Sequence, residues 1–343
     1  MDRTAVVLFN LGGPDSPAAI QPFLNNLFND PAIISIPWPL RPVLASVISH
    51  RRQSEAKKIY ETIGGHSPLL ENTRQQARAL EAALDNDAIR VFVSMRYWHP
   101  MSEDTALEVA EFEPQRVVLL PLYPQFSTTT TASSMKEWVR SWKRHGYEVT
   151  TRAVCCWPRA CGFVGSYAAA VRSALDDTAG QPARVLFSAH GLPEKIIRGG
   201  DPYQWQVEQT ASAIVDDIGR SDLDWTVCYQ SRVGPLDWIG PSTDGEIDRA
   251  GREGTGVVVV PVAFVSEHSE TLVELDIEYR QRARDAGCPF FRRIPAVSCD
   301  DTFIEGLAAL VRSVLDGDRP ELASGHGGRI CPASFKRCPL RTV

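Results

Sequence analysis

Four consecutive valines, Val257 to Val260, are followed at once by Pro261. A short run that is apolar at every position is typical of a strand buried on both faces of a parallel sheet. Proline has no N–H to donate to a neighbouring strand, so regular pairing should weaken at Pro261. The run therefore predicts an interior strand of a parallel sheet, with the residues after Pro261 at its carboxyl end.

An acidic stripe follows this strand. Ser266 is placed to cap the next helix. At about 100° per residue, four glutamates of that helix fall within an arc of roughly 80°. They are Glu267, Glu270, Glu274 and Glu278, with His268 beside them. Open α/β sheets bind ligands at the carboxyl ends of their strands. We therefore interpret the stripe as part of a functional site, with an ordinary solvated helix face as the alternative.

The size and charge of the chain narrow its class. Its 343 residues exceed one ordinary core and predict two domains. A net charge of −6 gives a nucleic-acid partner no electrostatic support. No apolar run is long enough to span a bilayer, and no signal peptide precedes the first predicted strand. We expect a cytoplasmic protein without a nucleic-acid partner, and the sequence leaves its oligomeric state open.

Predicted strands alternate with predicted helices along the chain, which indicates an α/β fold with doubly wound parallel sheets. Besides the valine run, the main strands are predicted at residues 4–10, 91–95, 116–122, 184–189 and 225–230, and residues 147–154 begin a second set of elements. A strand followed by a Gly/Pro turn occurs at both 8–14 and 186–193, which suggests two similar domains. The predicted division is residues 1–150, residues 151–310 and a C-terminal extension at 311–343.

Residues 23–49 combine apolar side chains with prolines, and three prolines surround Trp38 and Leu40. Apolar residues on a loop of this kind either pack beneath their domain or form a displayed patch. A displayed patch would suit an apolar ligand or a membrane surface. The residues themselves favour neither arrangement.

Several strand ends carry aromatic or ionisable residues. They are Arg96, Tyr97, Tyr123, Phe126, His190 and Trp238. Aromatic side chains around a cleft suit a flat apolar ligand, and a histidine can accept protons or bind a metal. A row of carboxylates can carry protons or a hard cation. Each residue alone has an ordinary structural explanation, so the hypothesis depends on their convergence. Motifs for a covalent nucleophile or a fixed catalytic zinc are absent from the sequence.

Motifs over nearly the whole chain resemble those of the ferrochelatases, which insert Fe²⁺ into a porphyrin at the end of haem synthesis. They include Asn-Leu-Gly-Gly-Pro at 10–14, Gly-Gly-His-Ser-Pro at 64–68, Tyr-Pro-Gln-Phe-Ser at 123–127, Ser-Ala-His-Gly-Leu-Pro at 188–193, Gln-Ser-Arg-Val-Gly-Pro at 230–235 and Glu-His-Ser-Glu-Thr-Leu at 267–272. The resemblance implies two similar Rossmann-type domains with the porphyrin in a cleft between them.

The resemblance also implies roles for individual residues. His190 would take pyrrole protons or meet the metal. The acidic helix would remove protons and deliver metal through Glu267, His268, Glu270, Glu274 and Glu278. Residues matching positions near the macrocycle are Ser67, Arg96, Tyr97, Tyr123, Phe126 and Trp238, together with Leu11, which stands where some members place a methionine. Residues 23–49 match the lip of the pocket, which favours a displayed patch and a peripheral membrane contact.

Some family members carry a [2Fe-2S] cluster on one mid-chain cysteine and three tail cysteines. This tail has two, Cys331 and Cys338, so two mid-chain thiols would have to complete the set. The ligands expected from the resemblance are Cys161, Cys331 and Cys338 with Cys156, or with Cys155 in its place. The alternative is a set of reduced structural thiols.

Three alternatives remain beside a ferrochelatase acting on protoporphyrin IX. One is a cobalt or nickel chelatase for a more reduced tetrapyrrole, which the motifs at 123–127 and 230–235 disfavour. Another is a non-catalytic haem-binding protein, which the intact His190 and glutamate stripe disfavour. The third is a ferrochelatase for coproporphyrin III. The apolar residues of 23–49 favour the vinyl edge of protoporphyrin IX over the extra propionates of coproporphyrin III.

Overall fold

The computed structural model describes residues 2–315 and 320–340. The chain forms two compact units. The first comprises Met1–Cys156 and Ala308–Gly327, and the second comprises Trp157–Leu307 and Gly328–Val343. Among the described residues, no helix combines the length and the apolar character needed to cross a membrane.

The first unit contains a five-stranded sheet with the order β2-β1-β3-β4-β9, and every neighbouring pair is parallel. Its strands are β1 (Thr4–Asn10), β2 (Ile89–Met95), β3 (Arg116–Pro121), β4 (Thr150–Val154) and β9 (Leu322–Ala323). β1 lies between β2 and β3, and all of its residues are buried, as expected for an interior strand of a parallel sheet. The helices of this unit are α1 (Ile20–Phe28), preceded by a 3₁₀ turn at Pro17–Ala19, α2 (Leu40–Glu61), α3 (Leu69–Leu84), α4 (Ser102–Glu111) and α5 (Thr131–Arg144).

The second unit contains a four-stranded parallel sheet with the order β6-β5-β7-β8. Its strands are β5 (Ala183–His190), β6 (Asp224–Gln230), β7 (Gly256–Pro261) and β8 (Phe291–Arg293). The valine run lies in β7, whose residues are all buried, and Pro261 is its last residue. The helices of this unit are α6 (Cys161–Asp176), α7 (Glu194–Arg198), α8 (Tyr203–Ile218), α9 (Thr243–Arg252), a π-helix (Glu270–Glu278) and α10 (Tyr279–Asp285). A last helix, α11 (Asp301–Leu315), begins in this unit and ends in the first.

Two parallel α/β sheets confirm the predicted fold class. The prediction that residues 147–154 begin the second set of elements is wrong, because β4 pairs with β3 in the first sheet, Arg116 opposite Thr150. The C-terminal segment also differs from the predicted extension. Within it, residues 320–327 belong to the first unit, where β9 pairs with β4. Its later part packs on the second unit, where the Arg337 N–H donates to the Gly200 carbonyl.

Only the middle of the apolar stretch at 23–49 is a loop, because α1 ends at Phe28 and α2 begins at Leu40. Pro42 is tolerated because the N–H groups of the first helical turn have no partner within the helix. Trp38 is 75% exposed and Leu40 65%. Part of the stretch, around Trp38, Leu40 and Val43, is therefore displayed, whereas Phe23, Leu24 and Ala45 are buried.

Candidate active site

The carboxyl ends of two neighbouring strands bring the candidate catalytic residues of the second unit together. His190 is the last residue of β5 and stands opposite Gln230, the last residue of β6. The π-helix follows β7, which pairs with β5 on its other side. Parallel strands end at a common edge, and this is where open α/β sheets place their ligands.

His190 and Glu270 form a hydrogen-bonded pair, with 2.9 Å between Nδ1 and Oε2. Burial opposes ionisation of Glu270, but the attraction of the His190 ring and its hydrogen bond outweigh it and lower the carboxyl pKa far below its usual range. Burial likewise opposes protonation of His190, but Glu270 outweighs it and raises the imidazole pKa. The contact with Glu270 therefore stabilises the protonated form of His190, which makes its neutral imidazole a stronger proton acceptor.

A second imidazole, that of His268, approaches the same oxygen of Glu270. His268 is buried, and its Nε2 is 3.9 Å from the same Oε2. Its Nδ1 lies 3.1 Å from the Ser266 carbonyl oxygen, and its ring packs against Phe264 with centroids 4.7 Å apart. The Tyr203 hydroxyl donates to the His190 carbonyl at 3.0 Å and steadies the end of β5.

Glu274 lies one step further along the π-helix and accepts hydrogen bonds on both oxygens. Oε1 accepts from the Ser231 N–H at 2.8 Å and from the Tyr279 hydroxyl at 3.0 Å. Oε2 accepts from the Ser231 hydroxyl at 2.5 Å and more distantly from Gln230 Nε2 at 3.4 Å. Burial, followed by the neighbouring charge of Glu270, raises the pKa of Glu274. The raised pKa makes this carboxylate a better proton acceptor than Glu270.

Ser231 contacts two of the candidate carboxylates, although its sequence position did not single it out. Its backbone adopts φ of +57°, a left-handed conformation that non-glycine residues rarely occupy. In this conformation its hydroxyl lies 2.5 Å from Glu274 and 3.4 Å from Glu270. The Gln-Ser-Arg-Val-Gly-Pro motif was the only sequence signal for it, and that motif does not reveal which carboxylates the hydroxyl contacts.

The acidic stripe divides into two parts. Glu267 precedes the helix, accepts from Arg293 Nη1 at 2.7 Å and accepts from the Ala296 N–H at 2.9 Å. Glu270, Glu274 and Glu278 belong to the helix itself. The predicted α-helix capped by Ser266 is wrong, because the helix begins at Glu270 with π-type turns, which often occur at functional sites.

A polar cavity of about 510 Å³ lies beside the helical carboxylates. It is lined by Glu274, Glu278, Trp238, Asp244 and Arg282, among others. Trp238, predicted near the macrocycle, therefore lies close to two of the predicted acidic residues. The cavity is large enough for hydrated ions beside the carboxylates.

In the first unit, Arg96 and Tyr97 follow β2 directly and form a buried polar group with Asp30 and Ser133. Arg96 Nη2 and the Tyr97 hydroxyl each lie 2.8 Å from Asp30 Oδ2. Arg96 Nε donates to the Ser133 hydroxyl at 2.8 Å. Burial raises the pKa of Tyr97, and the charge of Asp30 raises it further, so the phenol stays a hydrogen-bond donor.

The remaining residues predicted near the macrocycle also lie in the first unit. Leu11 is half-buried against the cluster around Tyr97. The Ser67 hydroxyl lies so close to Gly13 that a Cβ there would approach it to 2.4 Å. Tyr123 packs against the sheet core, and burial raises the pKa of its phenol. Phe126 is fully buried.

The cysteines fall into separate groups. Cys155 and Cys156 are buried neighbours in the first unit, with sulfur atoms 3.7 Å apart. Cys161 is exposed at the start of α6. In the tail, Cys331 accepts from Gln206 Nε2 at 3.1 Å. A hydrogen bond with Cys331 lowers the pKa of the Cys338 thiol to about 6. Within residues 2–315 and 320–340, no three cysteine, histidine or carboxylate side chains form a group that could hold a metal ion.

Comparison with known proteins gives a consistent result. The family model described as Ferrochelatase matches residues 3–315. A ferrochelatase from Caulobacter vibrioides is 52% identical over 345 aligned residues, covering 99% of this chain and 98% of that protein. One from Phenylobacterium zucineum is 50% identical with the same coverage. Among solved structures, SirB from Bacillus subtilis with Fe³⁺ superposes with a TM-score of 0.53 at 12% identity, covering 92% of this chain and 96% of that chain, which indicates a shared fold.

Proposed function

Because the chain belongs to the ferrochelatase family, we propose that it inserts Fe²⁺ into protoporphyrin IX, forms protohaem and releases two protons. The observation that carries this proposal is the His190–Glu270 pair at the carboxyl edge of the second sheet, with His268 and Glu274 beside it. A free-base porphyrin must lose two pyrrole protons as the metal enters. The reaction therefore needs a base and a route for protons, and this group offers both.

His190 is the proposed first proton acceptor. Once it has taken a pyrrole proton, the imidazolium is stabilised by Glu270 at 2.9 Å. Because its pKa is raised, Glu274 is the proposed next proton acceptor. The Ser231 hydroxyl donates a hydrogen bond to its carboxylate. Glu278 lines the adjoining cavity and would pass protons to solvent.

Fe²⁺ is the second substrate, and its proposed ligands are a carboxylate oxygen of Glu270 and an imidazole nitrogen of His190, which can bind iron only while His190 is neutral. Both donor types suit iron. Glu274 and Glu278 are the proposed delivery route. Glu267 was predicted in that route as well, but its ion pair with the buried Arg293 gives it a competing structural task. We therefore propose that delivery depends more on Glu274 and Glu278 than on Glu267.

The proposed substrate-binding residues of the first unit are Leu11, Ser67, Arg96, Tyr97, Tyr123 and Phe126, with Trp238 from the second unit. Support for protoporphyrin IX comes from the exposed apolar side chains of the 23–49 stretch, such as Trp38 and Leu40. An apolar surface suits vinyl groups better than the extra propionates of coproporphyrin III. Coproporphyrin III is the second candidate substrate.

The deciding experiment compares kcat/KM for the two porphyrins in one assay. We expect protoporphyrin IX to be preferred, and a preference for coproporphyrin III would replace the first substrate with the second. Insertion of Zn²⁺ into protoporphyrin, followed by fluorescence, separates an enzyme from a haem-binding protein. Wild-type protein that binds the porphyrin but inserts neither metal would contradict the enzymatic proposal.

A [2Fe-2S] cluster is a separate proposal, and no step of metal insertion depends on it. Such a cluster needs four ligands, usually thiolates. The tail pair Cys331 and Cys338 could supply two, while the described residues place no third ligand with them. Cys161 and Cys156 would have to complete the set. Anaerobically purified protein should then absorb in the visible region and release acid-labile sulfide, whereas colourless protein without sulfide would leave the cysteines as reduced thiols.

We also propose that the protein is cytoplasmic and touches membranes peripherally through residues 23–49. Trp38, Leu40 and Val43 are the support, since each exposes more than half of its surface. Co-sedimentation with lipid vesicles tests this contact. The variant Trp38→Ser/Leu40→Ser should bind vesicles more weakly than wild type, and equal binding would contradict it.

A further inference from the structure

Asp30, two residues after α1, carries a carboxylate that is almost completely buried. Its side chain is 2% exposed, and that of its ion-pair partner Arg96 is 15% exposed. Removing a carboxylate from water is costly unless it is paired and fully hydrogen-bonded. The arrangement around Asp30 therefore has to satisfy both oxygens.

The carboxylate of Asp30 joins three parts of the first unit. Oδ2 accepts from Arg96 and Tyr97, which follow β2, and from the Ser133 hydroxyl of α5. Oδ1 accepts from the Ala32 N–H at 2.7 Å, and this bond stabilises the turn in the backbone directly after Asp30. One side chain thus connects the end of a strand, a helix and the start of the exposed apolar loop.

Arg96 is held along one edge of its guanidinium group. Nη2 bonds Asp30 and Nε bonds Ser133, both at 2.8 Å, and the guanidinium carbon lies 4.9 Å from the centre of the Tyr97 ring. These contacts fix the plane of the group. Neither of these two bonds uses the remaining nitrogen, Nη1.

Residues 31–40, which we call the apolar segment, are bonded to Asp30 through its backbone carbonyl as well as through its carboxylate. The N–H groups of Ile33 and Ile34 donate to the Asp30 carbonyl at 3.0 and 2.9 Å. At the far end, Arg41 Nε donates to the Asn29 carbonyl at 2.8 Å. Exposed side chains such as Trp38 contribute little packing to hold the segment, so these polar bonds largely set its conformation.

We propose that Asp30 is a positioning residue for the porphyrin, which fixes the Arg96 guanidinium and holds the apolar segment in one conformation. The inference rests on the proposed function. A segment already ordered before binding pays less conformational entropy when the ligand arrives. Loss of the anchor should therefore weaken porphyrin binding and leave the chemical step, which we assign to the His190 group, largely intact.

The central test is Asp30→Asn, which keeps the shape of the side chain and removes its charge. We expect KM for protoporphyrin to rise about tenfold, because charge-assisted hydrogen bonds are lost, with kcat within about twofold of wild type. The matched control is Asp104→Asn, a surface carboxylate of the same unit, which should leave both constants unchanged. Unchanged KM in folded Asp30→Asn protein overturns the proposal, and so does a loss confined to kcat.

Two further measurements keep the test decisive if Asp30→Asn folds poorly. Ser133→Ala keeps the ion pair and should raise KM only about threefold. The double variant Asp30→Asn/Arg96→Gln removes both charges of the ion pair, so no buried charge lacks a partner. Its thermal stability should therefore recover relative to Asp30→Asn, while its KM for protoporphyrin should stay raised. Recovery of both would mean a purely structural role and overturn the proposal.

Hydrogen exchange of peptides spanning residues 31–40 gives a readout that needs no catalysis. Exchange should be faster in Asp30→Asn than in wild type and in Asp104→Asn, and equal exchange would overturn the anchoring role. Wild-type protein that inserts no metal into any porphyrin would instead contradict the proposed function.

Discussion

Each unit buries a carboxylate beside a cation, but the two cations differ. Asp30 pairs with Arg96, whose guanidinium stays charged at every accessible pH. Glu270 pairs with His190, and an imidazole, unlike a guanidinium, can gain and lose a proton. The first pair is a permanent bond that holds structure. The second can change its charge, and only such a pair can take part in proton transfer.

The largest loss of activity is expected from His190→Ala, which removes the imidazole that pairs with Glu270. General acid–base catalysis typically contributes at least about 100-fold, so kcat for Zn²⁺ insertion should fall by that factor while porphyrin KM changes little. His99→Ala, which alters an exposed histidine, is the control and should be fully active. Near wild-type kcat in His190→Ala would remove the distinction between the two pairs.

Glu270→Gln tests the same His190–Glu270 pair by removing its negative charge. Glu270 raises the imidazole pKa, so its loss should lower the pKa of His190, seen by NMR titration of the metal-free protein. We expect kcat to fall about tenfold or more. Glu278→Gln should leave the pKa of His190 almost unchanged, and equal shifts in both variants would show that the pair contact is not the cause.

Ser231→Ala tests whether Glu274 takes part in proton transfer together with the His190–Glu270 pair. The hydroxyl lowers the carboxyl pKa, so its loss should raise the pKa of Glu274. The carboxyl group would then release its proton more slowly to the next group, and we expect a fewfold loss of kcat. Ser231→Gly removes the same hydroxyl but suits the left-handed backbone. It should therefore be more stable than Ser231→Ala by about 1 kcal/mol. Full activity in Ser231→Gly would limit Ser231 to a backbone role.

The smallest effect concerns Asp276, a carboxylate that resembles Asp30 because its partners are arginines, Arg280 and Arg293. Burial opposes ionisation, but these arginines outweigh it and lower the pKa of Asp276. Its contribution to stability is therefore present above the unfolded pKa near 3.9 and is lost as pH falls through the folded pKa. Thermal unfolding should show wild type above Asp276→Asn at neutral pH and the difference disappearing in acid, with kcat unchanged. A pH-independent difference would contradict the assignment.

Much of this architecture was predictable from local patterns. Continuous apolar runs predicted β1 and β7, and the position of His190 followed from its place directly after an apolar strand. Residues 147–154 were assigned to the wrong half because strand pairing is not encoded within the strand. The π-type turns were missed because α-helical and π-helical segments share the same residue preferences in a short window.

Which carboxylate meets which partner was not predictable. Asp30 contacts Arg96, Tyr97 and Ser133 across 66, 67 and 103 residues of chain. Glu267 looked equivalent to Glu270 in the stripe, yet it pairs with Arg293. Likewise, nothing in the local sequence placed the Ser231 hydroxyl against Glu274.

The sequence by itself determined the α/β fold, the family and the types of chemical group at the strand ends, because strand and helix patterns and residue identities are local properties. The tertiary structure alone decided which partner each carboxylate meets: Arg96 for Asp30, His190 for Glu270 and Arg293 for Glu267. Those outcomes depend on burial and on the charge of a neighbour distant in the chain, and both quantities exist only once the sheets have assembled.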